Sequence, residues 1–174
     1  MSLLNLNIGE CVHYGTHGVC RVCGKESKSF GGGERMYFTL RPTSNTSILL
    51  YLPEDAEPDK VKLRKLLSRQ EILELVENAR KQPAGWIADS KLRREAFAKV
   101  IRGGDAAELI GMLRDLYLHQ QDLPHGKQLP MSDQEMMQNA RRQLYSEMAY
   151  VLDIDEKAVQ AYILDLVEQS NGNA

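Results

Sequence analysis

The 174-residue chain is 43% apolar and 26% charged, an ordinary balance for a water-soluble globular protein with room for one domain or two small ones. No apolar run nears the roughly 18 residues of a membrane span. The opening Met1-Ser-Leu-Leu-Asn5 lacks the regions of a signal peptide, and three cysteines do not make a disulfide framework, so a cytoplasmic protein is expected.

Residues 8–53 read as β structure. Glu10-Cys-Val12-His-Tyr14 alternates, Gly15-Thr-His17-Gly18 turns, and Val19-Cys-Arg21-Val22-Cys23 resumes a strand. Ser29-Phe30-Gly31-Gly32-Gly33 suits a hairpin tip. Met36, Phe38 and Leu40 share one face of the next strand, and a turn at Ser44-Asn45-Thr46 leads to Ile48-Leu-Leu50-Tyr51-Leu52, ended by Pro53. Short strands at this spacing predict a small antiparallel barrel or curled sheet.

Beyond Glu54 the period changes from two to three and four. Ser68-Arg-Gln-Glu71 is a capping box for a helix running to about Lys81, stopped by Pro83. Asp89 or Ser90 caps a second helix, which Gly103-Gly104 closes. Asp105 opens a third, with Leu109, Met112, Leu113, Leu116 and Tyr117 in one stripe. Asp122 to Pro130 is a loop, and Ser132-Asp-Gln-Glu135 reads as a further capping box. The helix after it turns Met137, Ala140, Leu144, Met148 and Val151 inward. Asp155 caps a last helix with Val159, Tyr162, Ile163, Leu166 and Val167 inward, and Ser170–Ala174 reads as a frayed tail. Strands followed by helices predict an α+β chain, divided into a β domain at residues 1–58 and a helical domain of about five helices at residues 59–170.

The net charge of −2 conceals an asymmetry: residues 1–59 sum to −2, residues 60–102 to +7 and residues 103–174 to −7. The basic middle is concentrated in the stretch from Trp86, the single tryptophan, through the helix carrying Lys91, Arg93, Arg94, Lys99 and Arg102. An aromatic beside a basic helix suits a surface that meets nucleic acid. A core tryptophan backed by solvated charges fits the same residues, as does an internal match between the basic middle and the acidic C-terminal helices.

Motifs for catalysis are missing. Gly31-Gly32-Gly33-Glu34 lacks the lysine and hydroxyl of a phosphate loop, and there is no nucleophile elbow, His-Glu-x-x-His or deaminase pattern. Cys20-Arg-Val-Cys23, near Cys11, His13 and His17, has zinc-ligand types. No second pair follows, however, and residues three apart on a strand face opposite ways. The cysteines are therefore read as small apolar residues, and neither metal nor cofactor nor enzymatic activity is expected.

The segments taken in order resemble the CarD/CdnL family, whose first domain is shared with the transcription-repair coupling factor. The resemblance begins at Ile8-Gly9-Glu10 and Val12-His13-Tyr14-Gly15-Thr16-His17-Gly18-Val19. It continues at Leu50-Tyr51-Leu52-Pro53, Lys62-Leu63-Arg64, Trp86, Gly104-Asp105, Leu113-Arg114-Asp115-Leu116, and Ala140-Arg141 with Leu144, Glu147 and Ala149. Gly15 stands where the family has a proline, and Tyr51 where it has an arginine. The resemblance implies a Tudor-like β domain that binds the β subunit of bacterial RNA polymerase, with Lys28, Phe30 and Tyr51 at the family's contact positions. It further implies a helical domain that touches promoter DNA at the upstream edge of the transcription bubble and stabilises the open complex. Trp86 is then the minor-groove wedge, and Lys91, Arg93, Arg94, Lys99 and Arg102 supply backbone contacts. A monomer without membrane association is expected. The alternative is an adaptor that binds polymerase or another partner and never touches DNA.

Overall fold

The computed structural model describes residues 4–83 and 85–168. They form two units that divide between Leu66 and Leu67. The first is a five-stranded antiparallel sheet, with β1 (Cys11–Tyr14), β2 (Val19–Ser29), β3 (Glu34–Pro42), β4 (Leu50–Pro53) and β5 (Leu63–Lys65) in the order β4-β3-β2-β1-β5. The boundary expected after residue 58 falls short because β5 pairs with β1, through Val12↔Lys65 and Tyr14↔Leu63. A single helical turn, α1 (Pro58–Val61), brings the chain back to that edge.

Leu4, Val12, Cys20, Val22, Phe38, Leu40 and Leu52 form the core of this Tudor-like unit. Phe38 and Leu40 point inward as their spacing predicts, whereas Met36 is 40% exposed. The pairing of β3 with β4 begins at Tyr37↔Pro53, and Met36 lies where the β2–β3 ribbon leaves that edge, its carbonyl accepting the Glu54 N–H at 3.0 Å. That ribbon continues to Ser29↔Glu34. Gly31 and Gly33, both with φ near +90°, make the tip in a conformation other residues rarely adopt. Cys20 is buried and Cys23 exposed, so the two thiols do face opposite ways.

The second unit consists of α2 (Arg69–Lys81), α3 (Ser90–Gly103), α4 (Ala106–Asp122), α5 (Met131–Leu152) and α6 (Glu156–Glu168). α4 packs against α2, α3 and α5, and α5 packs against α2, α3, α4 and α6. All five apolar residues of the stripe predicted on α4 are buried, together with Ala106 and Ile110. Ser68 caps α2 in a complete capping box. Asp89 accepts from the backbone N–H groups of Lys91 and Leu92 at the start of α3, and Gly104 ends that helix at φ 70° with its N–H on the Val100 carbonyl. The carboxylate of Glu147 is fully buried and accepts the Leu67 N–H at 2.8 Å, fixing the first residue of the unit to α5.

The capping box expected at Ser132 does not form. α5 begins two residues earlier, with Pro130 as an N-cap that makes no side-chain bond. The second residue of that box, Asp133, is turned into the interior, where it meets Arg93. Along α5, Val151 is only partly buried, and Tyr145, Glu147 and Leu152 complete the inward face. On α6, Val159 and Ile163 are buried as expected. The side chains of Leu166 and Val167 and the tail Ser170–Ala174 lie outside the described residues.

The caps predict modest, separable contributions to stability. Asp105 accepts the Glu108 N–H at 3.0 Å, and Asp105→Ala should cost about 1 kcal/mol. The loss should appear in urea unfolding followed by helical circular dichroism.

Candidate functional site

The hairpin arm of the β unit gathers an aromatic cluster. Phe30, at the glycine-rich tip, is 62% exposed and folds back over two tyrosines. Its ring lies 5.2 Å from Tyr37 and 5.4 Å from Tyr51, both edge to face. Tyr37 and Tyr51 meet at 6.3 Å and 89°, as diagonal neighbours across β3 and β4. Edge-to-face contacts of this kind align the positive rim of one ring with the negative face of another. The Lys28 ammonium lies 5.9 Å from the Tyr51 ring. Its ion pair with Glu26, at 3.8 Å, is solvent-exposed on both sides and holds it weakly. The structure therefore brings together Lys28, Phe30 and Tyr51, three residues separated in sequence. It adds Tyr37, whose place in the patch follows from strand register and had no local signal.

In the helical unit the five cations of α3 divide between two environments. At 3.6 residues per turn, Arg93 and Phe97 fall on one side of the helix, and both are buried. Lys91, Arg94, Lys99 and Arg102 are exposed. Lys91, Arg94 and Arg102 line a shallow groove with Glu95, Ala98 and Met136 of α5. Lys91, Arg94 and Lys99 have no salt-bridge partner among the described residues.

Arg93 is not a surface cation. It is 4% exposed and Asp133 is fully buried. Its Nη2 donates to Asp133 Oδ2 at 2.8 Å and its Nε reaches both carboxylate oxygens at 3.2 Å. Its Nη1 donates to the carbonyls of Ile87 at 2.7 Å and Ala88 at 3.2 Å. A guanidinium so occupied cannot also bind a phosphate, and Arg93 leaves the set of expected DNA contacts. A bidentate buried pair with its remaining donors satisfied is the geometry in which such an ion pair is tolerated.

Trp86 is partly buried and packs against the helical core. Its ring stacks on His119 of α4 at 3.7 Å and 11°, and the Arg93 guanidinium carbon lies 4.5 Å from the ring centre. Its ring is thus braced by the interior, while part of its surface stays open just before the basic helix. His119 and Asp133 were invisible in sequence, because each comes from a helix remote from Trp86 along the chain.

The cysteines do not form a comparable site. Burial, with a smaller effect of nearby Cys11, pushes the Cys20 thiol up to about 11. It is therefore protonated at neutral pH and a poor nucleophile.

Removing one partner of the buried pair leaves the other charge uncompensated. Asp133→Ala should lower the stability of the helical unit by about 3–5 kcal/mol, measured by denaturant unfolding. Fluorescence of Trp86, the sole tryptophan, should change in parallel.

Two family models match the chain in succession. The CarD-like/TRCF RID domain covers residues 6–66 and the CarD C-terminal domain covers residues 71–164. No curated protein matches it. The two matches coincide with the β unit and the helical unit, and the second alone spans more than half of the chain. The protein thus belongs to the CarD-like family of transcription-associated regulators, whose domains interact with RNA polymerase.

Proposed function

We propose that this regulator holds the β subunit of RNA polymerase through its aromatic patch and promoter DNA through α3 and Trp86, stabilising the open complex. The observation that carries the DNA reading is the set of exposed cations on α3, Lys91, Arg94 and Lys99, without ion pairs among the described residues. An internal match to the acidic helices would have consumed them. They stand on the helix that begins just after the braced, partly open indole.

The energetics favour opened DNA. Inserting an aromatic into a base step costs a few kcal/mol of unstacking, a cost reduced where the duplex is already bent or melted. Phosphate contacts from Lys91, Arg94 and one of Lys99 or Arg102 position the protein without reading sequence. Affinity for DNA alone is then low, and polymerase binding raises the effective DNA concentration. No reacting group is needed, in keeping with CarD-family domains as interaction domains.

On the polymerase side, Phe30 supplies a large apolar surface already ordered by Tyr37 and Tyr51, the kind of rigid aromatic anchor that concentrates binding energy. Lys28 adds a cation at its edge. Tyr51 replaces a cationic contact with an aromatic one, so this interface depends more on packing than on charge.

Lys91→Glu with Arg94→Glu should shorten the lifetime of the open complex while polymerase affinity is retained. Binding to DNA alone should fall with salt at a log–log slope of about −2 to −3. A promoter footprint unchanged by the protein would instead support a polymerase adaptor that leaves DNA untouched. Trp86→Ala should likewise shorten the open complex without weakening polymerase binding. Phe30→Ala and Lys28→Glu should have the opposite pattern, with polymerase affinity lost and helical unfolding unchanged.

A further inference from the structure

We infer that Arg114 is a positioning residue for Trp86, acting through the connector between α2 and α3; its functional consequence rests on the reading of Trp86 as a DNA-contacting side chain. Leu113-Arg114-Asp115-Leu116 lies in the middle of α4. Leu113 and Leu116 are core residues, which leaves the adjacent charged pair without a role in packing. That pair is itself largely buried, with side-chain exposures of 9% and 13% and a 2.6 Å bond from Arg114 Nη2 to Asp115 Oδ1.

Arg114 Nε also donates to Asp115 Oδ1, at 2.9 Å, and the other bonds of the guanidinium go to the end of α2 and the residues that follow it. Nη1 donates to the carbonyls of Ala79 and Gln82, and Nη2 reaches that of Pro83 at 3.4 Å. Pro83 follows directly on Gln82, and the carbonyls of Ala79 and Gln82 are among those a helix C-terminus leaves without partners. A left-handed glycine usually satisfies them, but Gln82 caps α2 in an extended conformation, at φ −78° and ψ 141°. Arg114 therefore performs the cap from another helix, and in doing so fixes where the connector leaves α2.

α4 continues to guide the connector from there. A Cβ on Gly85 would lie 3.5 Å from Asp115 Oδ2, so the backbone passes directly beside the carboxylate that orients Arg114. His119, one turn further along α4, carries the Trp86 ring. At the exit, Arg93 binds the carbonyls of Ile87 and Ala88. Trp86 thus sits between two guanidinium anchors, Arg114 before it and Arg93 after it. An aromatic held in this way is ordered before it meets a ligand, which removes part of the entropic cost of binding. Lysine has the charge of Arg114 but not the planar fork that serves diverging carbonyls and a carboxylate together.

The sole tryptophan makes the test direct. In Arg114→Met, with helical circular dichroism retained, Trp86 should show lower fluorescence anisotropy and greater quenching by acrylamide. Open-complex lifetime should fall several-fold with polymerase affinity unchanged, and Arg114→Lys should restore it only in part. Combined with Trp86→Ala, Arg114→Met should cause no further loss. Unchanged Trp86 anisotropy and quenching in a folded Arg114→Met protein would overturn the inference. If the fluorescence changes but Trp86→Ala itself leaves the open complex unaffected, the anchoring stands and the DNA role of Trp86 falls. Time-resolved anisotropy of the wild-type protein needs no variant: an anchored indole tumbles with its domain, and a dominant fast local component would refute the anchoring.

Discussion

The helical unit depends on the buried ion pair between Arg93 and Asp133. Taking Arg93 and Asp133 out of water is unfavourable for each alone and tolerable only because each completes the other's coordination. Once formed, the pair joins the first turns of α3 and α5, and the spare donors of Arg93 hold the backbone on which Trp86 is mounted. Asp133 was only an intervening residue of the expected capping box, whose bonds belong to Ser132 and Glu135, so its turn into the interior gives up no cap of its own. An unpaired buried guanidinium would cost about 3–5 kcal/mol.

The two candidate surfaces use aromatic side chains in different ways. On the β unit, Phe30 is largely exposed and is supported from beneath by Tyr37 and Tyr51; its surface is available for a protein partner. On the helical unit, Trp86 is gripped by a histidine and an arginine and only partly open. The first arrangement offers area and the second offers a fixed position. These are the properties that the proposed roles need, docking on a protein and meeting a base step, respectively.

Much of the fold was legible locally. The capping box at Ser68, the Asp89 and Asp105 caps and the left-handed Gly104 are set by interactions within a few residues, and the five-residue stripe of α4 follows from helical period alone. β5 was harder to assign, since three residues, Leu63–Lys65, carry too little pattern to show that they complete a sheet begun at Cys11. Met36 followed the alternation of β3 but lies where β3 leaves its pairing with β4 and is exposed.

For the site, the sequence by itself determined that cations accumulate between residues 60 and 102 beside the single tryptophan, and that Phe30 stands at a glycine-rich tip. Those are properties of composition and turn chemistry. Only the tertiary structure decided that Arg93 differs from its neighbours Lys91 and Arg94, because the direction of a side chain around a helix becomes burial only when another helix covers it. The same packing supplied Asp133, Arg114 and His119 from distant positions. It left the tryptophan of the basic stretch an indole braced from behind, with one part of its surface open.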